Sequence, residues 1–410
     1  MKNLIADQQT SRRNFIGKVG IGAAALAVSP ACTFASNQAS RRKIHLGIVG
    51  GGFGTGFQFH EHPNCIVEAV SDLIPERREG LMKVYGCSKS YESLEKLILD
   101  PKIEAVFIAT PAPDHVRHVV MTLKAGKHVL CAVPAAMTIE ECYKLREAVR
   151  SSGLTYMMAE TSYFRQNTIS VRKFYHDGLF GNLFSAAAEY NHPGLDALWF
   201  ANGKPTWRHG LPPLLYPTHC TSFLISVTGE RLTHVSGLGW GDDSALLKNN
   251  PYMNPFWNET AFFKTSKGHP FRVEVNWKGA LRGAERGEWR GDKMSFYSSL
   301  NDGADHTIIR EADGIGKDDA GFQRKTNLVE TYKQPMWWQT EMLPEKLRHN
   351  SGHDGSHSFI THEFIDALLN NRQPAVNVYE ALAYTAPGIV GHQSALKNGE
   401  SMKIPDFDMK

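Results

Sequence analysis

A chain of 410 residues is long for one hydrophobic core and has the length expected of two domains. Hydrophobic residues contribute 42% and charged residues 21%, which is ordinary for a globular protein. The formal net charge of +3 arises within the first 18 residues, so the remainder has no basic run to follow a phosphate backbone, and we expect no nucleic-acid partner.

Residues 1–38 are predicted to be a targeting segment. Arg12 and Arg13 precede a weakly apolar stretch at 19–28, and small residues at 33–35 form a candidate cleavage site. This pattern resembles a twin-arginine export signal and predicts a periplasmic protein, with an untargeted basic tail as the alternative. Cys32 is a candidate for lipid attachment, although 29–31 lack the leucine of a good lipobox. No later apolar stretch approaches about 20 residues, so we predict no transmembrane segment in the mature chain.

After a polar linker at 39–43, strands and helices alternate. Residues 43–50 are a continuous apolar run ended by glycines, which is typical of a buried parallel strand, and we expect a helix after it. This rhythm predicts an α/β fold that begins with a doubly wound parallel sheet, a Rossmann domain over 39–165. The further elements predicted are strands at 65–72, 103–110, 128–134 and 154–160, and helices at 74–86, 114–125 and 138–152.

The pattern changes at about residue 183. Alternating residues over 259–279 predict a β-hairpin that turns at Lys267 and Gly268. We therefore predict a second α/β domain over 166–410 with a mainly antiparallel open sheet, whose closing helices partly pack on the first domain. The other predictions here are strands at 232–240 and 293–300, long loops at 191–215 and 300–350, and helices at about 356–371 and 378–397.

The glycine-rich stretch after the first strand predicts a dinucleotide site. Gly50 and Gly52 allow a tight turn and a close approach to a pyrophosphate, although the third glycine of the motif falls on Thr55. A simple strand-to-helix turn is the alternative. Asp72 ends the second strand 22 residues after Gly50, where a carboxylate binds ribose hydroxyls and repels a 2′-phosphate. We therefore predict NAD, with NADP less favoured.

Four stretches in order and spacing, "GIVGGGFG", "AVSDLIPER", "ATPAPDH" and "AGKHVLCAVP", resemble the Gfo/Idh/MocA family, and the resemblance covers residues 43–408. It implies oxidation or reduction of a hydroxyl carbon of a sugar or cyclitol with NAD(P), and a homo-oligomer formed through the open sheet. The cofactor-binding residues predicted from the motif and the resemblance are Gly50, Gly52, Phe53, Gly54, Asp72, Thr110, Pro111, His115, Val133 and Pro134.

The family's usual catalytic lysine is absent. Its Glu-Lys-Pro strand end is here Ala132, Val133 and Pro134, and its Asp-x-x-x-His signature retains only His219. The stretch "LYPTH" at 215–219 is similar to that of the family's NAD-dependent glycosidases of the α-N-acetylgalactosaminidase type, and this implies that Tyr216 and His219 are catalytic. Those enzymes oxidise C3 of the sugar transiently, remove the C2 proton, eliminate the aglycone, add water and return the hydride.

The chain also departs from those glycosidases, which carry a glutamate at the position of Ala132 and a tyrosine near Phe164. Tyr163, as a catalytic residue, and Glu160, as a substrate-site residue, are candidates to replace them. Further substrate-binding candidates are Tyr190, His192, Trp207, Arg208 and His353, with helix capping as the alternative for His353 and ordinary packing for the other four. His353 and His357 lie four residues apart, but no third ligand is evident, so we predict no metal.

Together these features predict an exported, NAD-dependent oxidoreductase that acts on a ring hydroxyl, at C3, of a sugar or glycoside. Because free NAD is scarce outside the cytoplasm, we expect a tightly bound cofactor that is recycled in each turnover. The alternative is an NAD-dependent glycosidase that also completes the elimination. A less favoured alternative is an inactive sugar- or NAD-binding protein, since two of the family's polar groups are missing.

Overall fold

The computed structural model describes residues 42–281, 283–300 and 303–408, so the predicted targeting segment lies outside it. The strands are β1 (Ile44–Val49), β2 (Cys65–Ser71), β3 (Ser90–Tyr91), β4 (Ala105–Ile108), β5 (His128–Cys131), β6 (Tyr156–Met158), β7 (Leu183–Asn191), β8 (Phe200–Ala201), β9 (Lys204–Pro205), β10 (Leu232–Trp240), β11 (Asn258–Thr265), β12 (Pro270–Asn276), β13 (Ala284–Gly291), β14 (Met294–Tyr297), β15 (His306–Lys317), β16 (Gln323–Tyr332) and β17 (Met402–Lys403). The helices are α1 (Pro75–Tyr85), α2 (Leu94–Leu97), α3 (His115–Lys124), α4 (Ile139–Ser152), α5 (Gln166–His176), α6 (Thr218–Thr228), α7 (Ser356–Leu369) and α8 (Val378–Leu396). None of these helices has both the length and the apolar character needed to cross a membrane.

The first sheet contains six parallel strands in the order β3-β2-β1-β4-β5-β6. The central strands are buried on both faces, as their continuous apolar sequences predict. The strand order reverses between β1 and β4, and the carboxyl ends of strands at such a point form a ligand-binding crevice. The doubly wound sheet is therefore confirmed.

The segment after β1 corrects one expectation. Instead of a long helix, the chain makes two short 3₁₀ turns, Phe53–Gly56 and Phe59–Glu61. Five of the seven residues from Gly50 to Gly56 are glycines, and glycine loses more conformational entropy in a helix than other residues do. The loop therefore presents backbone, and not the end of a long helix, to the crevice.

The second sheet contains nine strands in the order β16-β15-β14-β13-β7-β12-β11-β10-β17. All neighbours are antiparallel except β7 and β12, and the predicted hairpin of β11 and β12 is present. Helices α6 and α8 pack on one face, and Leu238, Trp240 and Phe262 are exposed on the other. Helix α8 also contacts α4 and β6, and α7 contacts β1, so both closing helices reach the first sheet.

The predicted loop at 300–350 is wrong over much of its length, because β15 and β16 pair as a hairpin there. Strand β16 is exposed along almost all of its residues. A strand with no buried face has no alternation of apolar and polar residues, which is the signal that reveals strands in a sequence. A search for alternating apolar and polar residues therefore does not detect this hairpin.

Candidate active site

A crevice of about 430 Å³ opens at the carboxyl ends of β1, β2, β4 and β5. Gly50 lies on its floor with φ +105°, and a Cβ there would be 2.3 Å from the carbonyl oxygen of Ala109. A side chain at Gly52 would instead meet nothing within 4 Å, since this residue faces the crevice. The loop is thus shaped so that bare backbone borders the space a ligand would fill.

Asp72 forms the wall at the end of β2. One carboxylate oxygen, Oδ2, accepts the N–H of Gly51 at 2.6 Å, and Oδ1 accepts the N–H of Ile74 at 2.8 Å. These bonds fix the carboxylate beside the crevice, where the remaining lone pairs can accept the two hydroxyls of a ribose. The glycine floor and this carboxylate fit a dinucleotide.

The opposite wall contains a chain of donors that the sequence did not reveal. Nη2 of Arg117 donates to Nε2 of His118 at 2.8 Å, which leaves the proton of His118 on Nδ1. That nitrogen lies 2.9 Å from the hydroxyl oxygen of Thr110. Because Thr110 accepts this proton, its own hydroxyl proton remains available to a ligand in the crevice. No motif identifies Arg117 or His118, whose only signal is their position on the first turn of α3.

Three predicted cofactor residues shape the crevice from behind. The ring of His115 is buried between the carbonyl oxygens of Pro134, 2.8 Å from Nδ1, and Thr110, 2.9 Å from Nε2, and so packs between the ends of β4 and β5. Gly54 lies on the side of the loop that packs against the first sheet, and its carbonyl accepts the hydroxyl proton of Tyr85. Neither side chain of His115 and Pro134 is among those that line the crevice, whereas Phe53, Pro111 and Val133 do line it.

A smaller cavity of about 150 Å³, here called the inner cavity, adjoins the crevice. The two spaces share four wall residues: Phe53, Val133, Arg208 and Tyr216. The rest of the inner cavity is lined by Thr161, Tyr190, His192, Leu195, Leu198, Leu211, His219 and His353. The fold therefore brings six of the predicted catalytic and substrate residues to one small space: Tyr190, His192, Arg208, Tyr216, His219 and His353.

The segment that carries Tyr216 and His219 is anchored from beneath. Glu259 of β11 accepts the backbone N–H of Leu214 at 2.7 Å with one oxygen, and with the other it contacts Nδ1 of His392 at 2.8 Å. Gly388 of α8 packs so closely that a Cβ would lie 2.1 Å from the carbonyl oxygen of Leu214. Tyr216 is therefore held just before α6, and His219 lies in the first turn of that helix.

His219 and Glu160 form a buried pair, here called the dyad. Nδ1 of His219 lies 2.9 Å from Oε1 of Glu160, and the histidine is 4% and the glutamate 0% exposed. Because the carboxylate fixes the proton on Nδ1, the nitrogen left to meet a ligand in the inner cavity is Nε2. The dyad has the arrangement of a general base with a carboxylate behind it.

A second carboxylate supports the dyad. Glu285 accepts the hydroxyl of Ser162 at 2.5 Å and Nε–H of Arg165 at 2.7 Å. With its proton directed to Glu285, the hydroxyl oxygen of Ser162 accepts part of the Nδ1–H of His219, at 3.2 Å. Burial acts to raise the pKa of Glu285, but Arg165 and His219 outweigh it and hold that pKa well below its usual range.

The same charges act on His219. Burial alone lowers the pKa of a histidine, yet the carboxylates of Glu160 and Glu285 outweigh this effect and leave the pKa of His219 raised. The dyad therefore stabilises the protonated ring, which is the state that follows proton abstraction from a substrate.

Two stacked tyrosines complete this part of the inner cavity. The rings of Tyr190 and Tyr216 lie 6.0 Å apart at 26°, and Tyr190 also contacts the ring of His219 at 4.7 Å. Burial raises the pKa of Tyr216 to about 12 and that of Tyr190 further above its ordinary value. Both phenols are therefore protonated at neutral pH and can donate a hydrogen bond.

Arg208 brings positive charge to the junction of the two cavities. Its guanidinium lies 4.2 Å from the ring of Trp207, and burial lowers its pKa. Within the described ranges, no carboxylate lies within ion-pair distance of Arg208. A half-buried charge without an ion-pair partner is costly, so a ligand is its expected counterpart.

The comparisons with known proteins agree with this geometry. The oxidoreductase family model of the Gfo/Idh/MocA type, with an NAD-binding Rossmann fold, matches residues 44–160. The model of the glycosyl hydrolase 109 C-terminal domain matches residues 302–409. The chain therefore carries an NAD-binding domain of the Gfo/Idh/MocA oxidoreductase type and a glycosyl hydrolase 109 C-terminal domain. It is an NAD-binding enzyme of that oxidoreductase type.

Curated relatives span most of the chain. A glycosyl hydrolase family 109 protein of Solibacter usitatus is 25% identical over 398 residues, which cover 89% of this chain and 88% of the relative. An α-N-acetylgalactosaminidase of Tannerella forsythia is 25% identical over 479 residues and covers 97% of both chains. Another from Shewanella oneidensis is 24% identical, covering 84% of this chain and 78% of the relative.

Solved structures share the fold. Levoglucosan dehydrogenase in complex with NADH superposes with a TM-score of 0.71 at 18% identity, over 89% of this chain and 100% of that one. The scyllo-inositol dehydrogenase of Lactobacillus casei with NAD(H) and scyllo-inositol gives 0.65 at 16% identity, over 88% and 99%. At these identities the likeness concerns the fold alone.

Three of the predicted catalytic and substrate residues do not line the inner cavity. Tyr163 packs against Arg172, with the guanidinium 4.1 Å from its ring, and lines neither space. The reason is local, because the turn Ser162–Phe164 directs Ser162 toward His219 and its neighbour away. Trp207 lines the crevice and not the inner cavity. Glu160 lies behind His219 and is not among the residues that line the crevice or the inner cavity.

The sequence missed Ser162, Arg165 and Glu285. Glu285 lies 125 positions beyond Glu160 in an alternating charged strand, β13, where a buried carboxylate looks the same as its exposed neighbours. Ser162 and Arg165 sit within the stretch "AETSYFR", so proximity to Glu160 was their only signal.

Proposed function

We propose that this enzyme oxidises and re-reduces a ring hydroxyl, at C3, of a sugar or glycoside, and that its NAD stays bound and returns to its starting state in each turnover. The observation that carries the proposal is the dyad, whose histidine lines an inner cavity that shares four wall residues with the dinucleotide crevice. The family, whose curated relatives include α-N-acetylgalactosaminidases, supports a sugar as the substrate.

The glycine loop, Asp72 and Thr110 would hold the cofactor, and NAD bound in the crevice supplies the hydride acceptor. His219 accepts the proton of the reacting hydroxyl on Nε2, and Glu160 stabilises the imidazolium that results. Tyr216, protonated because burial raises its pKa to about 12, donates to an oxygen of the substrate at the junction of the two cavities. The apolar walls of Leu195, Leu198 and Leu211 limit the access of water.

The second candidate function is an NAD-dependent glycosidase, in which transient oxidation at C3 is followed by loss of the C2 proton, elimination, hydration and return of the hydride. The match of residues 302–409 to the glycosyl hydrolase 109 C-terminal domain favours it. Only the release of the leaving group separates this function from the first.

Export by the twin-arginine route to the periplasm is part of the proposal. Such a route carries folded proteins, so the cofactor would travel within the enzyme, and a redox-neutral cycle would need no external NAD. Substitution of Arg12 and Arg13 by lysine is expected to leave the protein in the cytoplasmic fraction. A wild-type protein that remains cytoplasmic would contradict export, and labelling of Cys32 with a palmitate analogue would decide lipid attachment.

We further propose NAD rather than NADP, on the basis of Asp72, and a homo-oligomer through the exposed sheet face of Leu238, Trp240 and Phe262. Trp240→Glu is expected to lower the mass found by light scattering. An unchanged mass for this variant, or a monomeric wild type, would contradict the assembly.

The deciding experiment uses purified mature protein without added cofactor, a panel of glycosides in deuterated water, and proton NMR. Deuterium at C2 without aglycone release would establish the transient oxidation, and release would establish the glycosidase. Denaturation of the same sample should liberate dinucleotide. Bound dinucleotide with neither exchange nor release would overturn both functions and favour a binding protein.

A further inference from the structure

We propose that His357 is a positioning residue that fixes the tautomer of His353 and links it to the glycine loop of the crevice. His353 then presents an unprotonated Nε2 to the inner cavity as a hydrogen-bond acceptor for a sugar hydroxyl. The identity of that ligand rests on the proposed function, but the tautomer does not.

A chain of three groups carries the inference. Nδ1 of His357 lies 2.7 Å from the carbonyl oxygen of Gly56, and a carbonyl only accepts, so the proton of His357 is on Nδ1. Nε2 of His357 is then an acceptor, and Nδ1 of His353, at 2.8 Å, must donate to it. Burial lowers the pKa of His357 and lowers that of His353 to about 4, so each ring carries a single proton at neutral pH.

The ring of His357 has little freedom to leave this position. It stacks on Phe57 at 4.3 Å and 11° and meets the edge of Phe53 at 5.6 Å. A Cβ on Gly352 would lie 2.4 Å from its Cε1, and one on Gly56 would lie 3.1 Å from the same atom. Two aromatic rings and two closely packed glycines thus restrict the movement of the His357 ring.

His353 itself has no comparable support. It lies in the left-handed region with φ +53°, and its ring otherwise meets only the edge of Phe53, at 6.2 Å, among the described aromatic rings. Its Nε2 has no hydrogen-bond partner in the part of the chain that the structure describes, while its side chain lines the inner cavity. The bond to His357 therefore decides which nitrogen the substrate meets.

The link reaches the cofactor site because Gly56 belongs to the loop that forms the crevice floor, and Phe53 of that loop lines both spaces. A shift of the loop would move the carbonyl of Gly56 and, through His357, the ring of His353. The position of the loop and the orientation of the substrate acceptor are thus coupled through a continuous set of contacts.

The test is the ¹⁵N NMR spectrum of histidine-labelled holoenzyme, with His353 assigned by its loss in His353→Asn. The wild type is expected to show His353 protonated at Nδ1 and unprotonated at Nε2. His357→Leu removes the acceptor and should shift His353 toward the Nε2-protonated form, whereas His357→Gln retains an acceptor and should partly restore the wild-type pattern. Gly56→Ala should move the same signals without touching His353.

The matched control is His362→Leu, which changes a half-buried histidine of the same helix as His357, whose ring contacts His62 instead. It should leave the His353 signals unchanged. A wild-type His353 protonated at Nε2, or no response to His357→Leu, would overturn the positioning role, and no response to Gly56→Ala would overturn the link to the loop.

With the glycoside that shows exchange, His357→Leu should raise KM roughly five- to tenfold, the worth of one hydrogen bond, with a smaller effect on kcat. A KM no different from wild type, with the tautomer changed, would overturn the role in substrate binding. If no glycoside is turned over, the proposed function fails, while the NMR spectra still decide the tautomer of His353.

Discussion

The crevice and the inner cavity are adjoining spaces built on different principles. The crevice is formed by backbone: Gly50 and Gly52 expose peptide groups, and Asp72 is itself held by two backbone N–H groups. The inner cavity is formed by side chains whose properties depend on what stands behind them. His219 and His353 both line it, yet the carboxylate of Glu160 outweighs burial and leaves the pKa of His219 raised, whereas burial lowers the pKa of His353 to about 4.

This difference teaches that residue type alone does not assign a role. Of two histidines in one cavity, His219 can take up a proton from a ligand, whereas the Nε2 of His353 can only accept a hydrogen bond from one at neutral pH. Side-chain changes in the inner cavity should therefore alter the rate and leave the cofactor in place. Changes to the glycine backbone of the crevice should instead release the cofactor and leave the side chains of the inner cavity in place.

The largest effect is expected from His219→Ala. Loss of a general base lowers a rate by about 10²–10⁴-fold, and here the base also faces a buried carboxylate that would lose its partner. Single-turnover rates of C2 exchange measure the loss, and the dinucleotide freed on denaturation should match that of the wild type. Retained activity would remove His219 from the mechanism.

Glu160→Gln tests why the two histidines differ. His219 must be neutral to accept a proton, so the rate rises with pH through its raised pKa. Glutamine removes the carboxylate that contributes most to raising this pKa, so burial prevails and the rising limb of kcat/KM should move to lower pH. The plateau should fall by about 10–10²-fold as the imidazolium loses its stabilisation.

Glu285→Gln serves as the comparison for that variant, because Glu285 acts on the same ring from farther away. The rising limb of its kcat/KM profile should also move to lower pH, but by less than in Glu160→Gln. If the rising limb of kcat/KM does not move in Glu160→Gln, the carboxylate of Glu160 does not set the proton affinity of His219.

The paired variants Gly50→Ala and Gly52→Ala test the backbone side of the comparison. A Cβ at Gly50 would clash with Ala109 at a positive φ, so this change should lower the free energy of unfolding by about 1–3 kcal/mol or more and release dinucleotide. A Cβ at Gly52 meets no protein atom within 4 Å, so stability should hold while dinucleotide content falls. Thermal unfolding and dinucleotide absorbance separate the two, and equal stability losses would refute the assignment of Gly52 to the crevice.

The contrast also explains what the sequence could predict. Gly50, Asp72 and the strands that carry them lie within 30 residues and obey local rules of turns and buried strands, so the crevice was foreseeable. "LYPTH" identified His219 only through a resemblance, and Glu285 reaches it by a pairing of distant strands that no local pattern encodes. Likewise, Arg117 and His118 acquire a role only because α3 begins beside Thr110.

The smallest effect on activity is expected from Arg208→Leu, and it should be accompanied by an unchanged or higher melting temperature. The guanidinium contacts Trp207 and faces both spaces without a carboxylate partner among the described residues, so the free enzyme bears the cost of a half-buried charge. Its removal should raise KM by roughly tenfold while the melting temperature stays level or rises, since a residue kept for binding need not stabilise the fold. Arg208→Lys, which keeps the charge but not the planar stack on Trp207, should recover part of the loss in KM. A fall in melting temperature with KM unchanged would show instead that Arg208 serves the packing of Trp207. Tyr216 alone would then bind the ligand at the junction of the two spaces.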